Sequence, residues 1–397
     1  MRPLRRRPCL SVTLAAVLLG ALGGLAAPAA RAASYKVTLI VPDDDPRLER
    51  SRSERAYLGH PTGAAADALA LALDDAGFEL EAAGAQLALE TVRVADAQAA
   101  RSAAEKAQKA GAAALLTDLD AAGTLAVADA VKLPVLNLGD AADRLREQDC
   151  RTTLFHLLPS ERMRADALAQ TLVSRKWTQV LLLTGPSPAD AMRGAAATAA
   201  LKRYALKLVA SRPFKLSADP RERDLANPLL LTGNASYDVV WVVDSDGEFG
   251  RALPYRTALP RPVVGDGGLV ALAFHASFER FGAPQLVRRF AKATGRAMTA
   301  HDWAAWMAGK ALVGAAVAAP KGPLNAFHKA LAEARLDGYK GVVMSFRSWD
   351  GQLRQPLMLG DGQGVLALAP VDGILHPRNA LDTLGADGPE KLCKARS

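Results

Sequence analysis

Residues 112–140 constrain the fold of this chain more than any other stretch. They contain a short apolar run at 113–116, a helical run at 121–131 that ends before Pro134, and a second apolar run at 135–138. Proline cannot continue a helix and also restricts the residue before it. Short apolar runs on either side of such a helix are typical of buried parallel strands. The stretch therefore predicts a β-turn-α-β unit.

Both predicted strands of this unit end in turns that carry aspartates. Asp118 and Asp120 follow the first strand, and Asp140 follows the second. The carboxyl ends of neighbouring parallel strands lie at the same edge of a sheet, and ligands of open α/β sheets bind in the crevice there. The sequence therefore predicts a binding site at this edge.

The alternation of strands and helices continues through the rest of the chain. A length of 397 residues is more than a single hydrophobic core usually organises, so two doubly wound lobes are expected. We predict further strands at 36–41, 87–94, 153–158, 180–183, 206–210, 238–243 and 263–264, with short ones near 344–346, 357–359 and 365–369. We predict further helices at 62–76 (ending at Gly77), 97–110, 161–175, 189–204, 284–294, 301–318 and 324–334.

Residues 1–32 have the organisation of a secretory signal peptide. An arginine-rich head precedes an apolar centre at 10–25, and Ala30-Arg31-Ala32 forms a small-residue cleavage site. No later apolar run is long enough to span a bilayer. We therefore expect cleavage and a soluble, periplasmic protein. The peptide holds five arginines and no acid, so the formal charge of +8 falls to +3 without it, which gives no support for nucleic-acid binding.

Only two cysteines remain once the leader is removed. Cys9 lies in the leader, whereas Cys150 and Cys393 lie in the exported chain. Two cysteines in an exported protein pair more often than they stay free. We therefore predict a disulfide between Cys150 and Cys393.

The short motifs that mark common enzyme classes are missing from the sequence. It has no G-x-S-x-G elbow, no phosphate-binding P-loop, no H-E-x-x-H and no spaced G-x-G-x-x-G. The run Asp244-Ser245-Asp246-Gly247 is slightly similar to a calcium loop but lacks the remaining ligands. We therefore expect neither catalysis, nor a cofactor, nor a bound metal.

Several segments support a resemblance to a known family. FHLLPS at 155–160, DVVWVV at 238–243 and the segment 341–351 resemble periplasmic solute-binding proteins of the branched-chain amino-acid type, which serve ABC importers. Other segments resemble a subgroup associated with pyrroloquinoline-quinone (PQQ)-dependent alcohol dehydrogenase systems. They lie at 253–257, 261–263, 298–299, 303–306, 345–356 and 376–385.

The resemblance implies the type I periplasmic-binding-protein fold, in which two Rossmann-like lobes close on a ligand. Three crossovers join the lobes, and we place them near Arg151, Leu269 and Leu336. The first lobe is expected to contain 33–151 and 270–336, and the second 152–269 and 337–397. The expected partners are a small-molecule ligand and an ABC permease of the inner membrane, and the protein is expected to be a monomer.

Two other functions stay open on the sequence alone. A periplasmic sensor or activator would use the same fold without delivering its ligand to a permease. An unrecognised enzyme would turn over its ligand. Neighbouring permease and ATPase genes would distinguish an import receptor from a sensor.

The residues at the predicted cleft depart from the family pattern for amino-acid binding. Family members offer hydroxyls and backbone N–H groups to the ligand carboxylate in the turns after the third and fourth strands. Here only Thr124 supplies a hydroxyl, and the turn at 137–142 has none. Asp118, Asp120 and Asp140 would repel a carboxylate, so we expect a neutral or cationic ligand.

The candidate ligand-binding residues are mostly acids that follow predicted strands, because a cleft of one charge sign attracts cations and polyhydroxylated ligands. They are Asp43, Asp44, Asp118, Asp120, Thr124, Asn137, Asp140, His156, Asp244, Asp246, Tyr255 and Asp266. Each acid has an alternative role, since aspartate is favoured in turns and at helix N-caps. His156 is equally explained as a packed hinge residue. Trp303 and Trp306 are three residues apart on a helix, which is typical of core packing.

Overall fold

Two parallel sheets form the framework of the protein, which a computed structural model describes at residues 33–49, 58, 60–320 and 322–396. The predicted signal peptide lies outside the described residues. The strands are β1 (Ala33–Pro42), β2 (Ala85–Val94), β3 (Ala112–Thr117), β4 (Val135–Asn137), β5 (Leu154–His156), β6 (Gln179–Thr184), β7 (Lys207–Pro213), β8 (Val239–Val243), β9 (Val263–Gly265), β10 (Val270–Leu272), β11 (Leu336–Asp337), β12 (Val343–Met344), β13 (Leu357–Gly360) and β14 (Val365–Ala369). The first sheet has the order β2-β1-β3-β4-β5, and the second has the order β7-β6-β8-β9.

Helices flank these sheets and connect their strands. They are α1 (Ala65–Asp75), α2 (Gly77–Ala83), α3 (Ala97–Lys109), α4 (Ala121–Ala130), α5 (Glu161–Ser174), α6 (Pro188–Arg203), α7 (Pro228–Thr232), α8 (Glu248–Ala252), α9 (Ala283–Thr294), α10 (Ala300–Ala318) and α11 (Leu324–Ala332). In the part of the chain that the structure describes, none of them is both long and apolar enough to cross a membrane.

The central strands are buried on both faces, as their continuous apolar runs predict. Every residue of β3 and of β8 is buried. Leu39 in β1 pairs with Leu116 in β3, which in turn pairs with Leu136 in β4. Parallel sheets that are covered by helices on both sides require such runs, because neither face meets water. The predicted β-turn-α-β unit at 112–140 is confirmed.

The helix that begins after the predicted first crossover is capped as its sequence indicates. The Ser160 hydroxyl accepts a hydrogen bond from the Met163 amide (3.2 Å) at the start of α5. The first helix ends next to Gly77, at Asp75, but the expected role of Gly77 as its C-cap is wrong, because Ala76 holds that position. Gly77 instead begins α2, and Gly84 ends that helix with a left-handed φ of 67°, a conformation that glycine adopts without steric penalty.

Helix α10 forms the centre of the largest apolar cluster. Trp303 is fully buried, its indole Nε1 donates to the Gly338 carbonyl (3.1 Å), and its ring stacks against Phe274. Trp306, one turn later, is also buried and stacks against Tyr339. Both tryptophans therefore pack in the core, as their spacing on the helix indicates.

A small antiparallel sheet follows the two parallel ones. Strand β13 pairs with β10 on one side and with β14 on the other. The sequence predicts β13 and β14 but not β10, whose three residues follow a glycine-rich turn. Side chains of β10, β13 and β14 pack in the same cluster as α5 and the second sheet.

The bounds of the two lobes stay a prediction, although the strand pairing bears on the first crossover. Strand β5 still pairs with β4 in the first sheet, so the chain leaves that sheet only after His156. His156 also forms a bridge with Gln352, from the C-terminal part of the chain. The chain therefore leaves the first sheet a few residues beyond Arg151, near which the first crossover is predicted.

The C-terminal tail contacts both sides of this crossover. Cys393 forms a disulfide with Cys150. The guanidinium of Arg396 donates to the carbonyl of Leu154 in β5 (2.7 Å). On the other side, the Gly385 amide donates to the buried carboxylate of Asp166 in α5 (2.9 Å). The tail thus spans from the end of the first sheet to the first helix after it.

We predict that the protein has no free thiol once the predicted leader with Cys9 is removed, because the two remaining cysteines, Cys150 and Cys393, are bonded to each other. Thiol titration of unreduced, denatured protein should find none, whereas two free thiols would contradict the pairing. Replacing both cysteines by serine should lower the free energy of unfolding by about 2–5 kcal/mol, because the bond closes a very long loop. Urea unfolding of the double variant beside the wild type measures this difference.

Candidate ligand cleft

A cavity of about 530 Å³ lies where strands β1 to β4 end. Its wall contains five carboxylates and one guanidinium: Asp45, Asp96, Asp118, Asp120 and Asp140 with Arg47. These residues follow different strands of the first sheet, and the parallel arrangement brings them to a common edge. The edge predicted from the sequence therefore exists, and its wall is strongly acidic.

Asp118 joins three segments of the chain at this cavity. Its Oδ1 accepts a hydrogen bond from Nη2 of Arg47 (2.8 Å), and its Oδ2 lies 3.1 Å from Nε2 of His301 at the start of α10. Arg47 also pairs with Asp45 (2.7 Å). Burial alone would raise the pKa of Asp118, but the charges of His301 and Arg47 hold it well below its usual range.

The pKa of His301 shifts in the opposite direction to that of Asp118. Its imidazole is buried, which by itself would lower its pKa, but the facing carboxylate of Asp118 outweighs burial and raises it. The pair is therefore favoured in the charged form, with Arg47 on the other side of the carboxylate. A buried ion pair of this kind is strongly destabilised when one partner is removed, because the other is left uncompensated.

Asp120 and Asp140 act as turn and cap residues. Asp120 accepts from the Gly123 amide (2.8 Å) at the start of α4, and Asp140 accepts from the Ala142 amide (2.6 Å). Asn137 closes the second turn by accepting from the amides of residues 139 and 140 (3.1 Å each). The alternative role anticipated for these acids is thus present, while each still lines the cavity.

The two turns pack too closely to tolerate a side chain between them. A Cβ at Gly139 would collide with the backbone of Leu119, in the turn after β3. Glycine is therefore required there by close approach, which keeps Asp118 and Asp140 on neighbouring turns of one wall.

Three other candidate residues are not part of the cavity wall. Thr124, Asn137 and His156 are each fully buried. The Thr124 hydroxyl lies 3.3 Å from that of Thr117, and the side-chain amide of Asn137 lies 3.1 Å from Nδ1 of His156. Burial, followed by the charges of Arg146 and Arg396, lowers the pKa of His156. Direct ligand contact would require these side chains to become uncovered.

Two further predicted acids lie away from this cavity. Asp43 and Asp44 are exposed in the loop after β1 and are not part of the cavity wall. Asp45, the next residue, is the acid of this run that lines the cavity and pairs with Arg47. In the acidic run 43–45, the residue that lines the cavity is therefore Asp45, not the predicted Asp43 or Asp44.

The second sheet presents a comparable set of turns at its carboxyl edge. Asp266, after β9, accepts from the Asp244 amide (2.7 Å) and pairs with Arg193 (2.6 Å). Asp244, after β8, accepts from the Gly250 amide (2.7 Å), and burial raises its pKa. Asp246 is exposed. Within the described ranges, no group of three histidine, cysteine or acidic residues could hold a metal.

Two adjoining cavities lie against these turns. The larger one, of about 560 Å³, is lined by Tyr255, Arg251 and Asp361, and Tyr255 is 90% exposed at its surface. The smaller one is lined by Arg164, Glu161 and Arg193 among others. Both share Leu58 and Asp266. Of the predicted residues near the second sheet, Asp266 and the exposed Tyr255 therefore line these cavities, whereas Asp244 and Asp246 do not.

Several residues that build the site were not predicted. The Asp190 carboxylate accepts from the Ser245 amide (2.7 Å), and the Ser187 and Ser245 hydroxyls lie 2.9 Å apart. Ser187 and Asp190 form a capping box, so the three-residue spacing offered a sequence signal. Arg47 offered a weaker signal, as a base two residues after an acidic run. His301 offered none, because its contact depends on where α10 packs.

Comparison with known proteins gives a clear result for the fold. No family model and no curated protein sequence matches the chain. Among solved structures, a periplasmic binding protein from Burkholderia mallei is similar, with a TM-score of 0.66, 13% identity, and coverage of 92% of this chain and 99% of that one.

Two further structures give the same fold. One is an ABC-transporter solute-binding protein from R. palustris in complex with benzoate (TM-score 0.63, 16% identity, covering 84% of this chain and 96% of that one). The other is a leucine-, isoleucine-, valine-, threonine- and alanine-binding protein from Brucella ovis (TM-score 0.64, 15% identity, 83% and 89%). The predicted α/β class and type I periplasmic-binding-protein fold are confirmed.

We predict that Asp118→Asn lowers the free energy of unfolding by about 3 kcal/mol near pH 6, because it leaves Arg47 and His301 facing a neutral amide. The wild-type contribution should be fully present from roughly pH 4 to 6.5. It is lost as pH falls through the lowered pKa of Asp118, and as pH rises through the raised pKa of His301. Urea unfolding of both proteins across this range measures the difference.

Asp120→Asn is the matched control for this prediction. It removes a carboxylate from the same wall but keeps a side-chain oxygen for the Gly123 amide, and asparagine is nearly as good an N-cap as aspartate. It should therefore destabilise far less. Equal effects of the two substitutions, or an Asp118→Asn effect that stays constant as the pH rises through the raised pKa of His301, would contradict the role given to the Asp118–His301 pair.

Proposed function

We propose that this protein is the exported substrate-binding component of an ABC importer and binds a neutral or cationic small molecule between its two lobes. It would work in the periplasm as a monomer, without catalysis, and deliver its ligand to an inner-membrane permease. The confirmed fold and the segments that resemble branched-chain amino-acid receptors support this role. The segments at 253–257 and 345–356 support a narrower link to PQQ-dependent alcohol oxidation.

The acidic wall at the ends of β1 to β4 is the observation that carries the proposed ligand class. Five carboxylates face one guanidinium there, and that guanidinium is already paired with Asp45 and Asp118. Helix N-termini offset part of the negative charge, but Asp120 and Asp140 themselves occupy the nearby amide donors. A ligand carboxylate would therefore meet repulsion without free donors to compensate.

The hydroxyl chemistry expected of an amino-acid receptor is also absent from this wall. Thr124 supplies the hydroxyl of the turn after β3, yet it is fully buried beside Thr117. On the second lobe, Arg193 pairs with Asp266, and Arg164 lies 3.5 Å from Glu161. These arginines are thus matched by acids. The R. palustris structure holds benzoate, so the fold itself accepts a carboxylate. In this chain, the acidic wall of the cavity favours a neutral or cationic ligand instead.

A sensor or activator role is the second candidate, because the same fold and cleft would serve it. The two roles differ in the step after ligand binding. Uptake of the labelled ligand should be lost in cells that lack this protein if it is an import receptor. Unchanged uptake, together with altered expression of alcohol-oxidation genes, would favour the sensor.

We predict that purified protein releases a neutral or cationic small molecule on denaturation, identified by mass spectrometry. Adding this molecule to refolded, ligand-free protein should reduce the radius of gyration in solution scattering, because closure of the lobes makes the particle more compact. A saturating amount that leaves the radius unchanged would contradict closure. A released carboxylic acid would contradict the ligand class but not the receptor role.

We also predict that leucine, isoleucine and valine bind with millimolar constants or not at all. Two like unit charges about 4 Å apart repel by about 4 kcal/mol at an effective dielectric near 20, and even half of that weakens binding more than tenfold. Calorimetry with the three amino acids measures this. A micromolar constant would contradict the prediction. Replacing Asp120 and Asp140 by asparagine keeps both caps and should strengthen any residual binding.

A further inference from the structure

The C-terminal tail has its first attachment on the side of the first sheet. It is held there by the disulfide between Cys393 and Cys150, which lies in the loop before β5. The guanidinium of Arg396 also donates to the carbonyls of Arg151 (3.2 Å) and Leu154 (2.7 Å). This attachment therefore combines a covalent bond with hydrogen bonds to the backbone.

The second attachment of the tail is to helix α5, which packs in the same cluster as the second sheet. The guanidinium of Arg162, in the first turn of α5, donates to both carboxylate oxygens of Glu390 (3.0 and 2.7 Å). This is the bidentate geometry in which arginine and carboxylate pair best. Earlier in the tail, the Gly385 amide donates to the buried carboxylate of Asp166 (2.9 Å). The tail is thus attached on both sides of the first predicted crossover.

The part of the tail that reaches α5 is itself packed and not a loose end. The indole Nε1 of Trp349 donates to the Ala386 carbonyl (3.2 Å). The guanidinium of Arg347 donates to the carbonyls of Leu381 (2.9 Å) and Leu384 (2.8 Å). Leu384 is fully buried in the cluster of the second sheet. A movement of α5 is therefore transmitted to the tail.

The chain between the two attachments is short. Glu390 and Cys393 are three residues apart, and an extended chain advances by at most about 3.6 Å per residue. Their Cα atoms can therefore never be more than about 11 Å apart. As long as both attachments hold, α5 and the loop before β5 cannot separate further than this short segment and its two side-chain links allow.

We propose that residues 390–393 are a strap that limits the range of angles between the two lobes. The inference rests on the proposed function, because it requires lobes that move relative to each other. The strap joins the first sheet to the first helix of the second lobe beside the chain's own crossover. It restricts ligand-free protein to a narrow range of angles, so that less conformational freedom is lost when a ligand is bound.

A strap differs in one measurable way from two contacts that only stabilise the fold. Contributions of independent contacts add to each other. A strap stops acting when either of its ends is released, so releasing the second end has no further effect on the movement of the lobes. The range of distances between the lobes therefore distinguishes the two roles, whereas the free energy of unfolding does not.

Spin labels on the two lobes measure this range in ligand-free protein. Gln98→Cys places one label in the first turn of α3, after the edge strand β2 of the first sheet, and Ala218→Cys places the other after the edge strand β7 of the second sheet. Both positions are exposed. Pulsed electron resonance then gives the distribution of distances between the labels.

Two variants release the strap at opposite ends. Cys150→Ser with Cys393→Ser removes the covalent attachment, and Glu390→Ala removes the pair with Arg162. After Glu390→Ala, the next attachment to α5 is at Gly385. It lies eight residues before Cys393, and a chain of that length extends to about 28 Å. Each variant should therefore widen the distribution of distances, and the combined variant should widen it no further.

Asp75→Ala is the matched control. It removes a partly exposed pair with Arg289 (2.9 Å) that joins α1 to α9 on the first sheet and does not involve the tail. It should leave the distribution unchanged. If the serine variant fails to fold, Glu390→Ala still tests the strap, because it keeps the disulfide.

Three results would overturn the proposal. The distribution could stay unchanged when the strap is released, it could widen equally in Asp75→Ala, or the effects of the two releases could add in the combined variant. No ligand enters this measurement, so its failure leaves the proposed function unaffected. The proposed function fails instead if the protein binds no small molecule, whatever the distances between the labels show.

Discussion

The buried carboxylate of Asp118 is the contact on which the candidate cleft depends. It follows the central strand of the first sheet, and it holds Arg47 from the loop after β1 and His301 from the start of α10. These segments are far apart in the sequence, and a charge of either sign buried without its partner would be unfavourable. One ion-pair network therefore fixes the loop, the strand end and the helix in a single arrangement, and the wall of the cavity follows from it.

The other acids of the wall show how structural and binding roles coincide. Asp120 and Asp140 accept backbone hydrogen bonds at helix and turn starts, which is a sufficient reason for aspartate at either position. A hydrogen bond from a neutral amide does not remove a carboxylate's charge, however. The same carboxylates that accept these backbone hydrogen bonds also make the electrostatic potential of the cavity negative. A ligand must be compatible with that potential.

The sequence predicts this fold well because its signals are local. Continuous apolar runs identify β3 and β8, Ser160 identifies the start of α5, and Pro134 separates a helix from a strand. The failures are of two kinds. The first helix ends next to Gly77, but Gly77 begins a second helix instead of capping the first, and the residue with the left-handed φ is Gly84. Arg47 and His301 are absent from the predicted site, because their roles depend on long-range packing that no spacing in the sequence encodes. The residue type of Thr124 predicts a hydroxyl at the surface of the cleft, but tertiary packing buries that hydroxyl beside Thr117.

The C-terminal tail bears on how such a cleft could open. It is bonded to Cys150 and Leu154 at the end of the first sheet, and to Asp166 in the helix that follows the first crossover. If the angle between the two sides of that crossover changed, the tail would have to lose its contacts with one side or be strained between the two. The disulfide is covalent and the Asp166 carboxylate is buried, so neither attachment is readily released. The tail therefore braces the end of the first sheet against the first helix that follows it.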